Sequence, residues 1–240
     1  MNMGSCQGSW FIGDHVMPII SVANPQGGAG KSTSTLVLAT TLAQQGASVA
    51  ILECDPNRPI MGWKAGQSNN TVFVDCEITE STITAKLDAY RKRFQLVIVD
   101  LESTASRLMS RALARSQLVI IPVQASPNDA ELAARTIHLI QEEEAAFEKV
   151  IPYKILFTRT SPVIQTRIEK AIIKQLADAG VPRFQAHLNE RAAFKAIFYH
   201  QRDLAELDDS EVNGLPAARD NALRLTSELV DLLTREKAAA

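Results

Sequence analysis

A glycine-rich segment, residues 27–33 with the sequence Gly-Gly-Ala-Gly-Lys-Ser-Thr, follows an apolar run at 19–23 and precedes residues with helical spacing. Strand, glycine turn and helix form the context that a phosphate-binding loop requires. Glycines let the backbone approach an anion, and the N–H groups at the start of the helix point at phosphate oxygens. Lys31 can reach the β- and γ-phosphates, and the Ser32 hydroxyl can ligate Mg²⁺. The segment therefore predicts a nucleotide site, in preference to a glycine turn that only begins a helix.

Two carboxylates lie at the ends of later predicted strands. Asp55 directly follows the predicted strand at 49–54, and Asp100 ends the predicted strand at 96–100. Parallel sheets bind ligands beyond the carboxyl ends of their strands, so both side chains are expected at the edge that carries the glycine-rich loop. A carboxylate at this edge can hold the water shell of Mg²⁺. Two alternatives stay open: Asp55 could only begin a turn before Pro56, and Glu102 is either an extra acid or a solvated side chain.

The loop departs from the usual phosphate-loop spacing, because Pro25 stands where a glycine is expected. In this form it resembles the deviant Walker A loop of the ParA/MinD family of dimerising ATPases. That resemblance implies ATP and Mg²⁺ as ligands, and a nucleotide-binding set of Gln26, Gly27, Gly28, Ala29, Gly30, Lys31, Ser32 and Thr33. The family usually carries a second lysine at the position of Gln26, which contacts the partner subunit's phosphates.

Glutamine brings no charge, and charge-assisted hydrogen bonds are roughly twice as strong as neutral ones. We therefore expect a weak ATPase whose turnover is impaired by Gln26, while nucleotide binding is retained. The sequence leaves open whether Gln26 is natural or a deliberate substitution.

The same resemblance implies roles for residues outside the loop. Lys31 and Asp55 would be catalytic, with Asp55 positioning the attacking water, and Ser32, Asp55 and Asp100 would hold Mg²⁺. Arg159, in the segment Phe-Thr-Arg-Thr at 157–160, would contact the base. Contacts to DNA or to a partner subunit, or an ordinary surface position, are the alternatives for Arg159. Adenine in preference to guanine is implied by the family resemblance alone, and the guanine-specific Asn/Thr-Lys-x-Asp signature is not visible.

Two further segments resemble one subgroup of this family, the short ParA-like proteins. The segments are residues 55–59, followed by Trp63, and residues 189–194. This subgroup includes VirC1-type proteins that assist conjugative DNA transfer. No helix-turn-helix segment precedes the loop, which argues against the larger ParA proteins that repress their own operon. Trp63 itself is expected in the core.

For function, the family implies a cycle in which ATP joins two subunits and the homodimer binds non-specific DNA, for plasmid or chromosome partitioning or conjugative DNA transfer. A ParB-like or other stimulating partner is expected. The alternatives are a nucleotide-gated binding module with little hydrolysis and a MinD-like spatial regulator of cell division. Candidate DNA-binding residues, each of which could instead be a solvated surface charge, are Arg167, Lys170, Lys174, Arg183, Arg191, Lys195 and Arg202.

Composition sets further bounds. The 240 residues have a net charge of −2, so DNA binding needs a local basic patch. The three scattered cysteines fit a reducing cytoplasm, with nucleoid association if DNA is bound. The polar face of the final helical segment includes Glu228, Asp231 and Glu236, which disfavours a stable membrane anchor.

Apolar runs alternate with helical patterns, which predicts an α/β protein with the three-layer P-loop NTPase fold: a mostly parallel, twisted sheet with helices on both faces. We expect one ParA-like domain at 17–240 after a flexible extension at 1–16, with translation starting at Met1 or Met17. The predicted strands are 19–24, 49–54, 96–100, 118–123, 154–158 and a short one near 185–188. The predicted helices are 32–45, 83–93, 107–114, 128–147, 166–179, 191–197 and 217–236.

Overall fold

The computed structural model describes residues 17–104 and 106–239. The predicted extension at 1–16, which includes Cys6, lies outside the described residues. Seven strands form one sheet in the order β3-β2-β4-β1-β5-β6-β7, and every pairing in it is parallel. The strands are β1 (Ile19–Val22), β2 (Val49–Glu53), β3 (Phe73–Asp75), β4 (Leu96–Asp100), β5 (Leu118–Gln124), β6 (Tyr153–Thr160) and β7 (Leu188–Asn189).

Eight helices connect or follow these strands within the described ranges. They are α1 (Lys31–Gln44), α2 (Pro59–Lys64), α3 (Ile83–Tyr90), α4 (Arg107–Arg115), α5 (Pro127–Phe147), α6 (Arg167–Asp178), α7 (Ala192–His200) and α8 (Leu215–Ala239). Helix and strand alternate through most of the chain, as parallel pairing requires, because each parallel connection must cross back over the sheet.

The sheet separates two hydrophobic cores. Successive residues of a strand point to opposite faces, so Ile20 joins one core while its neighbour Ile19 joins the other. The first core contains buried residues of α1, α2, α7 and α8, and the second contains buried residues of α3, α4 and α5. Strands covered on both faces read as continuous apolar runs, which explains why the sequence pattern located them. The predicted three-layer α/β class is confirmed, and the sheet is all-parallel in the described residues.

Two short elements were not predicted. α2 has six residues and β3 has three, and both lie between the second and third predicted strands. Elements this short offer too few residues for a periodic pattern. The predicted strand near 185–188 is observed at Leu188–Asn189, and β6 extends beyond the predicted 154–158 at both ends.

The central strand β1 positions the glycine-rich loop. It lies between β4 and β5, with Val22 opposite Asp100 on one side and Ile120 on the other. The loop that leaves β1 therefore emerges beside the chain that leaves β4. Within the described residues, no helix combines the length and the apolar character needed to cross a membrane. The final helix α8 packs against the first core through the fully buried Leu225 and Leu229.

Candidate functional site

The glycine-rich loop connects β1 to α1 and depends on glycine at two positions. Gly28 and Gly30 have φ angles of +80° and +98°, in the left-handed region that residues with a side chain rarely adopt. A Cβ on Gly30 would also lie 3.2 Å from Cγ2 of Thr158. No side chain caps the first turn of α1. The N–H groups of that turn are therefore available to an anion.

Three polar side chains hold the loop in place. Asn24 is fully buried; its Nδ2 donates to the Pro122 carbonyl at 2.6 Å, and its Oδ1 accepts from the Gln26 N–H at 2.7 Å. The Thr158 hydroxyl donates to the Ala29 carbonyl at 2.8 Å, and Gln124 Nε2 donates to the Gly28 carbonyl at 3.2 Å. Sequence reasoning missed all three as site residues. The available signal was a polar side chain at the carboxyl end of a buried strand.

Lys31 is the first residue of α1, and only 6% of its surface is exposed. Its Nζ donates to the Gln26 carbonyl at 3.1 Å and to the Ser103 hydroxyl at 2.6 Å. Burial lowers the pKa of Lys31, while the charges of Asp100 and Asp55 act in the opposite direction. The ammonium is thus held across the loop, beside the chain that follows β4.

Asp100 ends β4 and is fully buried. Its Oδ1 accepts from the Thr35 hydroxyl at 3.3 Å, while its Oδ2 has no hydrogen-bond partner among the described residues. The pKa of Asp100 is raised to about 7, mainly by burial. The Ser32 hydroxyl acts against this rise, and the negative charge of Glu53 adds to it. A buried carboxylate oxygen without a partner is costly unless a ligand satisfies it. Asp100 and Ser32 therefore present oxygen atoms suited to a hard cation.

Asp55 lies just beyond the end of β2 and is half-buried. Its Oδ1 accepts from both the backbone N–H and the side-chain amide of Asn57, at 2.8 and 3.0 Å. The turn that the sequence left as an alternative is therefore present. These bonds use one carboxylate oxygen, and the charge of Asp55 still acts on Lys31.

Glu53 is the last residue of β2, and its contacts are structural. Its two carboxylate oxygens accept from the N–H groups of Ile60 and Met61, at 2.5 and 2.8 Å, and so cap the start of α2. Burial raises the pKa of Glu53, while these two bonds lower it. Trp63, on the same helix, is buried in the first core as predicted.

A cleft lies beside the glycine-rich loop, at the carboxyl end of β6. Arg159 sits at an irregularity between Thr158 and Thr160 with a φ angle of +53°, and its Nε lies 3.8 Å from a carboxylate oxygen of Glu190. The cleft is lined by residues of the loop, of α1 and of the segment from β6 to α7: Gly30, Thr33, Thr158, Arg159, Leu188, Asn189, Glu190, Arg191, Phe194 and Lys195.

The seven basic residues predicted for DNA contact differ in their surroundings. Lys174, Lys195 and Arg202 form ion pairs with Asp178, Glu190 and Glu211 respectively. Arg183 and Arg191 are half-buried, and the Arg191 Nε is enclosed without a partner in the part of the chain that the structure describes. Arg167 and Lys170 are exposed on the first turns of α6.

Within residues 17–104 and 106–239, no group of three or more His, Cys, Asp or Glu side chains could hold a metal ion. The oxygen atoms of Ser32 and Asp100 therefore form an incomplete set. Such a set suits Mg²⁺, which proteins hold through one or two side chains together with phosphate oxygens and water.

Comparison with known proteins gives concordant results. Residues 17–235 match the family model described as VirC1 protein. A protein named ParA from Rhizobium radiobacter is 36% identical over 219 residues, which cover 91% of this chain and 98% of that relative. An ATP complex of a Cyanothece McdA variant superposes with a TM-score of 0.70 at 16% identity, covering 89% of this chain and 96% of that one. A Borrelia burgdorferi B31 protein described as a putative plasmid partition protein, bound to AMPPNP, gives a TM-score of 0.69 at 17% identity, with coverages of 90% and 99%.

We predict that Glu53→Ala lowers the free energy of unfolding by about 1–3 kcal/mol, because two N–H groups at the start of α2 lose a charged acceptor. Denaturant titration at pH 7 measures the change. Asp55→Asn is the matched control, since asparagine keeps an acceptor for the Asn57 turn, and its change should stay below about 0.5 kcal/mol. Equal stability of Glu53→Ala and the original chain would show that the cap contributes nothing.

Proposed function

Since the chain belongs to the VirC1 protein family and is related to ParA, we propose that it is a partition-type ATPase that binds ATP with Mg²⁺. ATP binding would join two copies of the chain, and the homodimer would bind DNA without sequence preference. The observation that carries this proposal is the meeting of Lys31, Ser32, Asp55 and Asp100 around the glycine-rich loop at one edge of the sheet.

The loop would bind the phosphates. The uncapped N–H groups at the start of α1 and the buried Lys31 ammonium both supply positive potential at the loop. The adjoining cleft would take the nucleoside, with the Arg159 guanidinium available to stack on adenine.

Magnesium fits the oxygen donors of this site. Asp100 offers a buried Oδ2 without a hydrogen-bond partner among the described residues, and the Ser32 hydroxyl lowers the pKa of the same carboxyl group. When bound, Mg²⁺ would neutralise charge on the phosphate oxygens. Asp55 would orient the attacking water and accept its proton, through the carboxylate oxygen that the Asn57 turn leaves free.

DNA binding would follow from dimerisation. Two subunits would present twice the number of basic side chains to the phosphate backbone, which gives salt-sensitive and sequence-tolerant affinity. Arg167 and Lys170 are the best placed of the predicted residues, because both are exposed and neither has an ion-pair partner among the described residues. The proposal includes a ParB-like or other stimulating partner and a nucleoid-associated place in the cytoplasm.

A second candidate function is a nucleotide-gated binding module that dimerises on ATP but hydrolyses little. Gln26 motivates it. Its side chain is neutral, and its Oε1 is buried without a hydrogen-bond partner in the described structure. It therefore offers no cationic contact to the phosphates of a partner subunit, where the resembling family supplies a lysine.

We predict that ATP–Mg²⁺ converts the chain from monomer to dimer in sedimentation velocity experiments. Gln26→Lys should dimerise at about tenfold lower protein concentration, because a charge-assisted contact replaces a neutral one. Lys31→Ala is the control that loses the phosphate contact and stays monomeric. A chain that binds ATP but remains monomeric with either Gln26 or Lys at this position would contradict the dimerisation step.

Turnover separates the two candidate functions. Asp55→Asn should bind ATP within about twofold of the original affinity and lower kcat at least 100-fold, since a positioned base contributes about 10²–10⁴ in rate. Phosphate release under single-turnover conditions measures the effect. If the original chain shows ATP-dependent DNA binding without measurable turnover, the second candidate is correct and the ATPase assignment fails.

For DNA, the double variant Arg167→Ala with Lys170→Ala should weaken ATP-dependent binding about tenfold near 0.1 M salt. The slope of log affinity against log salt should fall by about one for each phosphate contact removed. Lys174→Gln is the matched control on the same helix, because Asp178 already neutralises that charge. Undiminished DNA binding by the double variant would show that α6 does not contact DNA. Equal DNA binding with and without nucleotide would contradict the proposed cycle.

A further inference from the structure

Ser103 makes a contact that the proposed function does not use. Its hydroxyl accepts from Lys31 Nζ at 2.6 Å, which is the shorter of the two hydrogen bonds that this ammonium makes in the structure. The loop lysine is the residue that reaches the β- and γ-phosphates. A group bonded to that ammonium is therefore a neighbour of any phosphate oxygen that the same ammonium binds.

The pairing of β1 with β4 explains how a residue 72 positions away reaches this place. Val22 lies opposite Asp100, and the Leu101 N–H donates to the Val22 carbonyl at 3.1 Å. Leu101 is fully buried in the second core. The chain is thus anchored at Leu101, and Ser103 follows two residues later, beside the loop that leaves β1.

The backbone beyond that anchor is less constrained. Residues 102–104 make no backbone hydrogen bond of their own among the described contacts, and Ser103 is only half-buried. The next regular element, α4, begins at Arg107 with the Ser106 hydroxyl as its cap. The Ser103 hydroxyl can therefore exchange partners without disturbing either neighbouring element.

We propose that Ser103 distinguishes ATP from ADP. In the structure its hydroxyl accepts from the Lys31 ammonium. When the phosphates take over that ammonium, the hydroxyl becomes a donor to the γ-phosphate, which ADP lacks. A contact made with one nucleotide and not the other shifts the chain toward its ATP-bound arrangement. The inference rests on the proposed nucleotide binding and assigns within it a positioning and selectivity role to Ser103.

The proposed contact of Ser103 with the γ-phosphate is more important in a chain that has glutamine at position 26. The resembling family has at that position a lysine that contacts the partner subunit's phosphates, and here that charge is missing. A hydroxyl supplied by the same subunit lets one copy of the chain respond to ATP before it meets a second copy.

The test is isothermal titration calorimetry on the full chain with AMPPNP and with ADP, each with Mg²⁺. Ser103→Ala should weaken AMPPNP binding about tenfold, because a hydrogen bond to a charged group is lost, and should leave ADP binding unchanged or tighter. Ser103→Thr keeps the hydroxyl and should restore the original AMPPNP-to-ADP ratio. Thr104→Ala is the control, because the Thr104 side chain is exposed and makes no hydrogen bond with the residues that the structure describes.

Hydrogen exchange supplies a second readout. AMPPNP, and not ADP, should slow amide exchange at residues 102–104 in the original chain, and Ser103→Ala should abolish that difference. Equal weakening of both nucleotides by Ser103→Ala would overturn the proposal, because the hydroxyl would then only orient Lys31. Unchanged affinities would overturn it as well. If the original chain binds neither nucleotide, the proposed function itself fails, which is a separate and recognisable result.

Discussion

The register between β1 and β4 is the constraint on which the rest of the site depends. It sets Val22 opposite Asp100, so the glycine-rich loop and the chain after β4 emerge side by side. All the contacts of Lys31 described above follow from this arrangement, because its two acceptors belong to these two segments. A shift of one residue would turn Asp100 to the opposite face of the sheet and separate it from the loop.

Burial of charge is the main energetic tension in the molecule. Lys31, Glu53 and Asp100 are each less than 10% exposed, and ionised groups are costly in such surroundings unless they are paired or hydrogen-bonded. Glu53 is compensated locally by two backbone N–H groups. Lys31 and Asp100 are compensated only in part, since burial lowers the pKa of the first and raises that of the second. A site with a partly compensated ammonium and a partly compensated carboxyl group favours a ligand that carries both negative and positive charge. A polyphosphate with a bound metal ion is such a ligand.

The sequence was informative where a function or an element depends on neighbouring residues. The loop and the strand that ends at Asp100 could be predicted, since each rests on a local run of glycine or apolar residues, and the expected burial of Trp63 is observed as well. It was uninformative where a partner is distant in the chain. Asn24 holds the loop through Pro122, and Thr158 does so through Ala29, contacts that no local pattern encodes. The role of Glu53 as a cap of α2 likewise depends on residues 60 and 61, and only the structure reveals it. The site roles themselves remain predictions.

The contact between Gly30 and Thr158 has a consequence for how the sequence can vary. Thr158 touches the loop twice, through its hydroxyl to Ala29 and through its methyl group toward the position of a Cβ on Gly30. Replacing Thr158 by a smaller residue would open space beside Gly30, yet the φ angle of +98° would still exclude a larger residue there. A smaller side chain at position 158 therefore cannot compensate for a larger one at position 30. Because the hydroxyl bonds the Ala29 carbonyl, we expect substitutions at position 158 to be limited to side chains that keep a hydroxyl. A residue of β6, two strands away from β1, thus limits which substitutions the glycine-rich loop can tolerate.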